Sequence, residues 1–252
     1  MTKYDIKPTG AEISRRDLLR SGAAVATATL APGVTLMAFG GSPAEAAGAA
    51  DAGKRWGLLI DAGKCAADCS ACITACSDEN GWKDTGHPET DAQWIRKVTL
   101  RNKQTGREVS APMMCQHCEE PPCVDVCPTG ASFKRKDGIV LVDKHTCIGC
   151  RYCMMACPFK ARSFVHEPVN NQKAHAPRGQ GTVESCTLCV HRVDKGGAPA
   201  CVEACAATGH GAITFGDLKD PESEISLRLR EYPSAALRPD LDLNPGVRYE
   251  KL

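Results

Sequence analysis

Sixteen cysteines lie between positions 65 and 205 of a 252-residue chain, and they fall into four sets of four with none left over. The first set is Cys65, Cys69, Cys72, Cys76, spaced C-x3-C-x2-C-x3-C. The second is Cys115, Cys118, Cys123, Cys127, spaced C-x2-C-x4-C-x3-C and followed by Pro128. The third is Cys147, Cys150, Cys153, Cys157, spaced C-x2-C-x2-C-x3-C and followed by Pro158. The fourth is Cys186, Cys189, Cys201, Cys205, spaced C-x2-C-x11-C-x3-C. So many thiols at such short intervals admit disulfides, zinc sites or iron–sulfur clusters, and each makes different demands on spacing.

The third set matches the bacterial ferredoxin run residue for residue. Three thiolates at that spacing wrap a loop around one cube, and the fourth, one helical turn on, ligates the neighbouring cube. The second set is the same run widened by two residues, with Pro121 and Pro122 in the gap; the first adds one residue, and the fourth inserts the loop 190–200. Zinc sites usually take two C-x2-C pairs across a longer gap, which only the fourth set resembles. C-x2-C and C-x3-C on one short loop are poor disulfide geometry for four equivalent blocks. Covalent haem needs C-x-x-C-H, but Glu119, Arg151 and Val190 stand at the histidine position. Iron–sulfur ligation is therefore expected, with a zinc- or disulfide-stabilised binding module as the alternative from another class.

Residues 1–46 read as a targeting segment. Ser14-Arg15-Arg16-Asp17-Leu18-Leu19 has the form of a twin-arginine signal, an uncharged stretch follows from Ser21 to Ala44, and Ala44-Glu45-Ala46 offers a small-x-small cleavage site. Such a signal exports a protein already folded, so a cofactor can be loaded before export. The expected location is periplasmic, peripheral to the cytoplasmic membrane. The whole chain has 31 Lys+Arg against 30 Asp+Glu, a balance that argues against a nucleic-acid partner.

Short strands are expected at 56–60, 94–100, 108–109, 139–142, 162–165 and 213–215, with turns at Thr105-Gly106 and Lys136-Asp137-Gly138. Short helices should begin near Ser70, Val124, Tyr152 and Pro199, each carrying a C-x3-C pair on one face. Two polar, turn-rich inserts, 80–93 and 167–182, interrupt the pattern. The cysteine-free stretch from 217 onward admits one helix at 221–232, then extended chain around Pro233, Pro239 and Pro245.

The order of the motifs resembles the four-cluster iron–sulfur subunits of membrane-linked respiratory complexes, the family of the electron-transfer subunits of dimethyl sulfoxide, polysulfide and tetrathionate reductases. Two stretches carry the resemblance: 115–131, reading CQHCEEPPCVDVCPTGA, and Cys186-Thr-Leu-Cys189 with Pro199-Ala-Cys201-Val-Glu-Ala-Cys205. The three-residue first gap and the chain's own twin-arginine signal are most similar to the exported iron–sulfur subunit of a Dsr-type transmembrane sulfur-redox complex. The resemblance implies an α+β fold of duplicated bacterial-ferredoxin-like lobes (βαββαβ-type) with loop inserts, built around four [4Fe-4S] clusters. It implies ligand sets that cross between runs. Centre 1 would take Cys65, Cys69, Cys72 and Cys205, and centre 2 Cys76, Cys186, Cys189 and Cys201. Centre 3 would take Cys115, Cys118, Cys123 and Cys157, and centre 4 Cys127, Cys147, Cys150 and Cys153.

The implied domains are 47–110 and 167–216 for lobe 1, 111–166 for lobe 2, and 217–252 as a strap or docking tail. The implied function is electron transfer without catalysis. Its partners would be a polytopic quinone-interacting membrane subunit and a multihaem cytochrome c or other redox subunit, in sulfur metabolism or, alternatively, with a molybdopterin oxidoreductase. Lys64, Lys144 and Arg151 stand beside ligands and could raise a potential. Met113, Met114, Met154 and Met155 are expected to pack as core. The seven histidines show no ligand spacing among themselves.

Overall fold

The computed structural model of the chain describes residues 26–31, 34–38, 50–170 and 172–252. The twin-arginine pair Arg15 and Arg16 lies outside the described residues. Within the N-terminal unit, 1–46, strand β1 (Ala26–Ala31) pairs antiparallel with β2 (Val34–Ala38). Among the described residues no helix is long and apolar enough to cross a membrane.

The second unit, 47–252, is mixed α and β with small sheets. Its central strand is β3 (Trp56–Asp61), whose near-continuous apolar sequence is what a strand buried on both faces requires. On one side β3 pairs antiparallel with β10 (Ile213–Asp217), and on the other it pairs parallel with β12 (Val247–Glu250). Strand β11 (Ser234–Ala235) completes the order β10-β3-β12-β11. Strand β12 reaches β3 so closely that a Cβ on Gly57 would lie 2.5 Å from the Gly246 carbonyl oxygen, so only glycine fits there. Three further two-stranded antiparallel sheets are formed: β4 (Ile95–Arg101) with β5 (Glu108–Met114), β6 (Ser132–Lys134) with β7 (Val140–Val142), and β8 (Ser163–Phe164) with β9 (Val183–Glu184).

Helix α1 (Ala71–Asn80) carries Cys72 and Cys76, and α5 (Ala200–Ala207) carries Cys201 and Cys205; the two lie against each other. Helix α2 (Pro122–Asp125) likewise lies against α3 (Tyr152–Ala156). These two are shorter than the spacing suggests. Helix α2 ends before Cys127, and Cys157 is already extended, at φ −75° and ψ 110°. Each of those cysteines precedes a proline, whose ring disfavours helical backbone in the residue before it. Ser77 and Ala206 impose no such stop, so α1 and α5 run on. A short helix, α4 (Val190–Val193), opens the loop of the fourth run.

Two apolar cores result. One gathers Leu58, Ile60, Trp94, Met114, Leu188 and Ile213 with cysteines of the first and fourth runs. The other gathers Val140, Phe159, Ala161 and Val183 with cysteines of the second and third. The C-terminal segment lies across the unit: helix α6 (Glu224–Glu231) buries Ile225, and Arg228 bonds to the buried Glu250 at 2.9 Å.

Candidate iron–sulfur centres

All sixteen thiols are free, and no disulfide joins any of them. A small cavity is lined by Cys65, Cys69, Cys72 and Cys205, with Pro112, His210 and Ile213 in its wall. Cys65 and Cys69 stand on the loop leading into α1, Cys72 on its first turn, and α5 brings Cys205 to them. Burial pushes the Cys72 thiol up to about 11, and the nearby Cys205, Cys65 and Cys69 sulfurs add to the rise. A second small cavity is lined by Cys76, Cys186, Cys189 and Cys201 among Leu58, Trp94, Met114 and Leu188. Burial, above all, pushes Cys76 up to about 12 and holds Cys186 and Cys201 far above an ordinary thiol.

Cys115, Cys118, Cys123 and Cys157 are all buried in the second core. Burial drives Cys115 and Cys118 to about 12, reinforced in each by Cys123 and Cys157, which marks the four as neighbours. In the remaining set, burial raises Cys153 and its neighbours Cys123 and Cys127 raise it further, while Cys147 and Cys150 stand on the loop that leads into Cys153. That loop turns through Gly149 at φ +70°, where a Cβ would collide with the Gly181 carbonyl at 2.1 Å.

The second and third runs are therefore interleaved, as are the first and fourth. Successive sets also lie near enough for their charges to interact. Cys72 acts on Cys201, Cys115 acts on Cys186, and Cys123 acts on Cys153.

Among the described residues, seven side-chain or backbone N–H groups donate to cysteine sulfur. Ala212 donates to Cys205 at 3.2 Å, Leu188 to Cys186 at 3.4 Å, Ser132 to Cys127 at 3.3 Å and Val183 to Cys147 at 3.5 Å. Trp82 Nε1 and Asn80 Nδ2 donate to Cys76 at 3.4 and 3.6 Å. Arg162 Nη2 donates to Cys123 at 3.0 Å, while its Nε and Nη1 are buried without a protein partner. Thiol quartets ringed by donors, with a buried cation left over, fit an anionic, thiolate-ligated cluster in each set.

The basic residues singled out by sequence take other places. Arg151 lies over the Phe164 ring, 3.8 Å from its centroid, and Lys144 Nζ bonds to the Val183 carbonyl; burial brings the Lys144 ammonium down to about 8. Lys64 is exposed. Arg162, which sequence did not single out, is a cation that donates to a ligand sulfur. Its sequence signal is faint: one arginine inside an apolar stretch, five residues after Cys157.

Of the methionines, Met114 is core, but Met155 is 79% exposed. It stands on the outer face of α3, because a helix of one turn has only one side toward the core, and Cys153 occupies that side. Ile148 and Tyr152 are exposed beside it, as is Cys150. Two histidines meet that sequence leaves apart: the rings of His175 and His191 stack at 3.9 Å, and His191 Nε2 lies 2.7 Å from Glu79 Oε1. Arg192 also pairs with Glu79, at 3.6 Å, so that carboxylate already faces a cation.

Comparison with known proteins agrees with this chemistry. The 4Fe-4S dicluster domain family matches residues 108–218. The Hdr-like menaquinol oxidoreductase iron-sulfur subunit 1 of Archaeoglobus fulgidus is 42% identical, over 94% of this chain and 97% of its own length. A tetrathionate reductase subunit of Salmonella typhimurium is 39% identical, over 77% of this chain and 72% of its own. A sulfite dehydrogenase subunit of Allochromatium vinosum is 38% identical, over 76% and 81%.

Proposed function

We propose, since the chain belongs to the family of 4Fe-4S iron–sulfur electron-transfer subunits of oxidoreductase complexes, that it conducts electrons through four clusters in a fixed order. It is an electron-transfer subunit and not a catalytic one, built on a ferredoxin-like 4Fe-4S domain. The observation that carries the finer reading is the interleaving of thiols, first run with fourth and second with third. On that basis Cys65, Cys69, Cys72 and Cys205 hold centre 1, and Cys76, Cys186, Cys189 and Cys201 hold centre 2. Cys115, Cys118, Cys123 and Cys157 hold centre 3, and Cys127, Cys147, Cys150 and Cys153 hold centre 4.

The cubes supply one-electron transfer between neighbours and, with every iron capped by cysteine, no open position for bond-making. The chain fixes their order. Helices α1 and α5 each carry one ligand of centre 1 and one of centre 2. The proximity of Cys186 to Cys115 joins centre 2 to centre 3, and that of Cys123 to Cys153 joins centre 3 to centre 4. Residues 47–110 and 167–216 then form one ferredoxin lobe, 111–166 the other, and 217–252 a strap. Cys150 and its exposed apolar neighbours make the centre 4 end the open one.

In the cell, the twin-arginine segment 1–46 carries the loaded protein to the periplasmic side, where it joins a membrane complex. The partners proposed are a polytopic quinone-reactive subunit and a multihaem cytochrome c, with this chain in the place of DsrO. The relative named as a menaquinol oxidoreductase subunit, which matches 94% of this chain, favours a quinone-linked complex. The second reading, an iron–sulfur subunit serving a molybdopterin enzyme, is favoured by the likeness to the tetrathionate reductase relative. Purifying the complex from membranes by a tag on this chain separates them. A c-type cytochrome with a polytopic subunit supports the first reading, and a pterin-containing subunit supports the second.

A further inference from the structure

Arg162 is buried to 6% exposure at the junction between the second and third runs. Its Nη2 donates to Cys123 Sγ at 3.0 Å and to Ser132 Oγ at 2.8 Å. The backbone N–H of Ser132 in turn donates to Cys127 Sγ at 3.3 Å. One guanidinium is thus tied directly to a ligand of centre 3 and, through Ser132, to a ligand of centre 4. Its positive charge also acts on Cys115 and Cys153, one ligand from each set.

Three other covered arginines are neutralised by carboxylates. Arg178 is bidentate to Glu184, Arg135 meets Asp137 and Asp194, and Arg228 meets Glu250. Among the described residues no carboxylate lies within 4.0 Å of Arg162, and its Nε and Nη1 have no partner at all. Leaving a guanidinium buried and unpaired is expensive unless an anion compensates it. Thiolate-ligated cubes on either side are such anions.

We propose that Arg162 sets the reduction potentials of centres 3 and 4 together, acting on both from between them. This rests on the four-centre reading above. Each electron added to a cube makes it more negative, so a fixed buried cation favours the reduced form and raises the potential. Because the guanidinium lies between the two sets, its field raises both potentials together. Lys144, a second cation near Arg162 and Cys147, is turned to the Val183 carbonyl and touches no ligand sulfur. Arg162 is a positioning and tuning residue, since it acts through the cubes.

The test is a redox titration of the purified, cluster-loaded full chain, followed by electron paramagnetic resonance, for the wild type, Arg162→Gln and Arg162→Lys. In the glutamine variant the reduced-to-oxidised ratio of two centres at a fixed ambient potential should fall at least tenfold, a shift of about 59 mV for a one-electron couple. The other two centres should not move. Lysine keeps the charge and should hold both centres within threefold of the wild type. Four intact centres with unchanged potentials in the glutamine variant, or an equal shift of all four, would overturn the proposal. Should the glutamine protein lose iron, the lysine protein decides: a tenfold fall there means that geometry and not charge is at work, and the assignment fails. A wild-type protein with fewer than four centres defeats the four-centre reading instead, an outcome visible before any variant is made.

Discussion

The indole N–H of Trp82 points at the Sγ of Cys76 across 3.4 Å, from inside an insert whose sequence is otherwise polar and rich in turns. Trp82 is buried, and the Asn80 amide approaches the same sulfur at 3.6 Å. A donor to a ligand sulfur stabilises the reduced, more negative cluster. Trp82→Phe keeps most of the ring and removes the N–H. The loss of one such bond, about 1 kcal/mol, should lower the potential of one centre by about 40 mV with iron content unchanged. A titration in which no centre moves would show that the contact does not reach the cluster.

Cys201 and Cys205 lie one turn apart on α5, yet they line different cavities. Replacing each by serine should therefore remove different centres. Cys205→Ser should disturb the signal also lost in Cys65→Ser, and Cys201→Ser the signal lost in Cys76→Ser, each costing about four iron of about sixteen. If Cys201→Ser and Cys205→Ser give the same spectrum, each run closes its own cube and the crossed arrangement is wrong.

Iron binding should strengthen with pH over an unusually wide range. Burial holds the Cys76, Cys115 and Cys118 thiols up near 12, so the chain without iron keeps those protons at any physiological pH. A ligand must lose its proton to bind, so protons compete with iron until pH reaches the raised thiol values. Chelator competition between about pH 6 and 10 should show affinity still rising at the upper end, beyond the ordinary thiol value of about 8.5. A plateau above pH 9 would mean that the buried thiols are already ionised.

Export should depend on Arg15 and Arg16. Changing both to lysine keeps the charge and removes the planar guanidinium. Cell fractionation should then find the cluster-loaded protein on the cytoplasmic side; normal export of the double variant would remove the twin-arginine reading.

Sequence spacing carried the inventory of the site. Four sets of four could be read directly, as could the strand at 56–60 and the helix starts near Ser70 and Pro199. What spacing cannot carry is direction. Whether Met155 faces core or solvent depends on which side of a one-turn helix Cys153 takes, and Pro158 decides how short that helix is. The approach of His175 to His191 needs the 167–182 insert to fold back, which no local pattern encodes. Arg162 was hidden for the same reason: a single arginine reads as surface until the elements around it are known. The C-terminal stretch gave least, since Val247–Glu250 is a four-residue strand whose parallel place beside β3 is a long-range pairing.

That late strand has a bearing on manufacture. Pro245 bridges to Cys118, Gly246 N–H bonds to the Gln116 carbonyl at 2.8 Å, and Glu119 N–H bonds to the Leu243 carbonyl at 3.0 Å. The segment 243–250 thus closes over the loop 115–118, and the ribosome makes it only after all sixteen cysteines have been translated. At about 5–20 residues per second, the roughly 40 residues between Cys205 and β12 take seconds to emerge. Throughout that interval the thiols are present and the lid over two of them is not. The order of the sequence thus leaves the loop 115–118 without its cover until the last strand of the sheet is made.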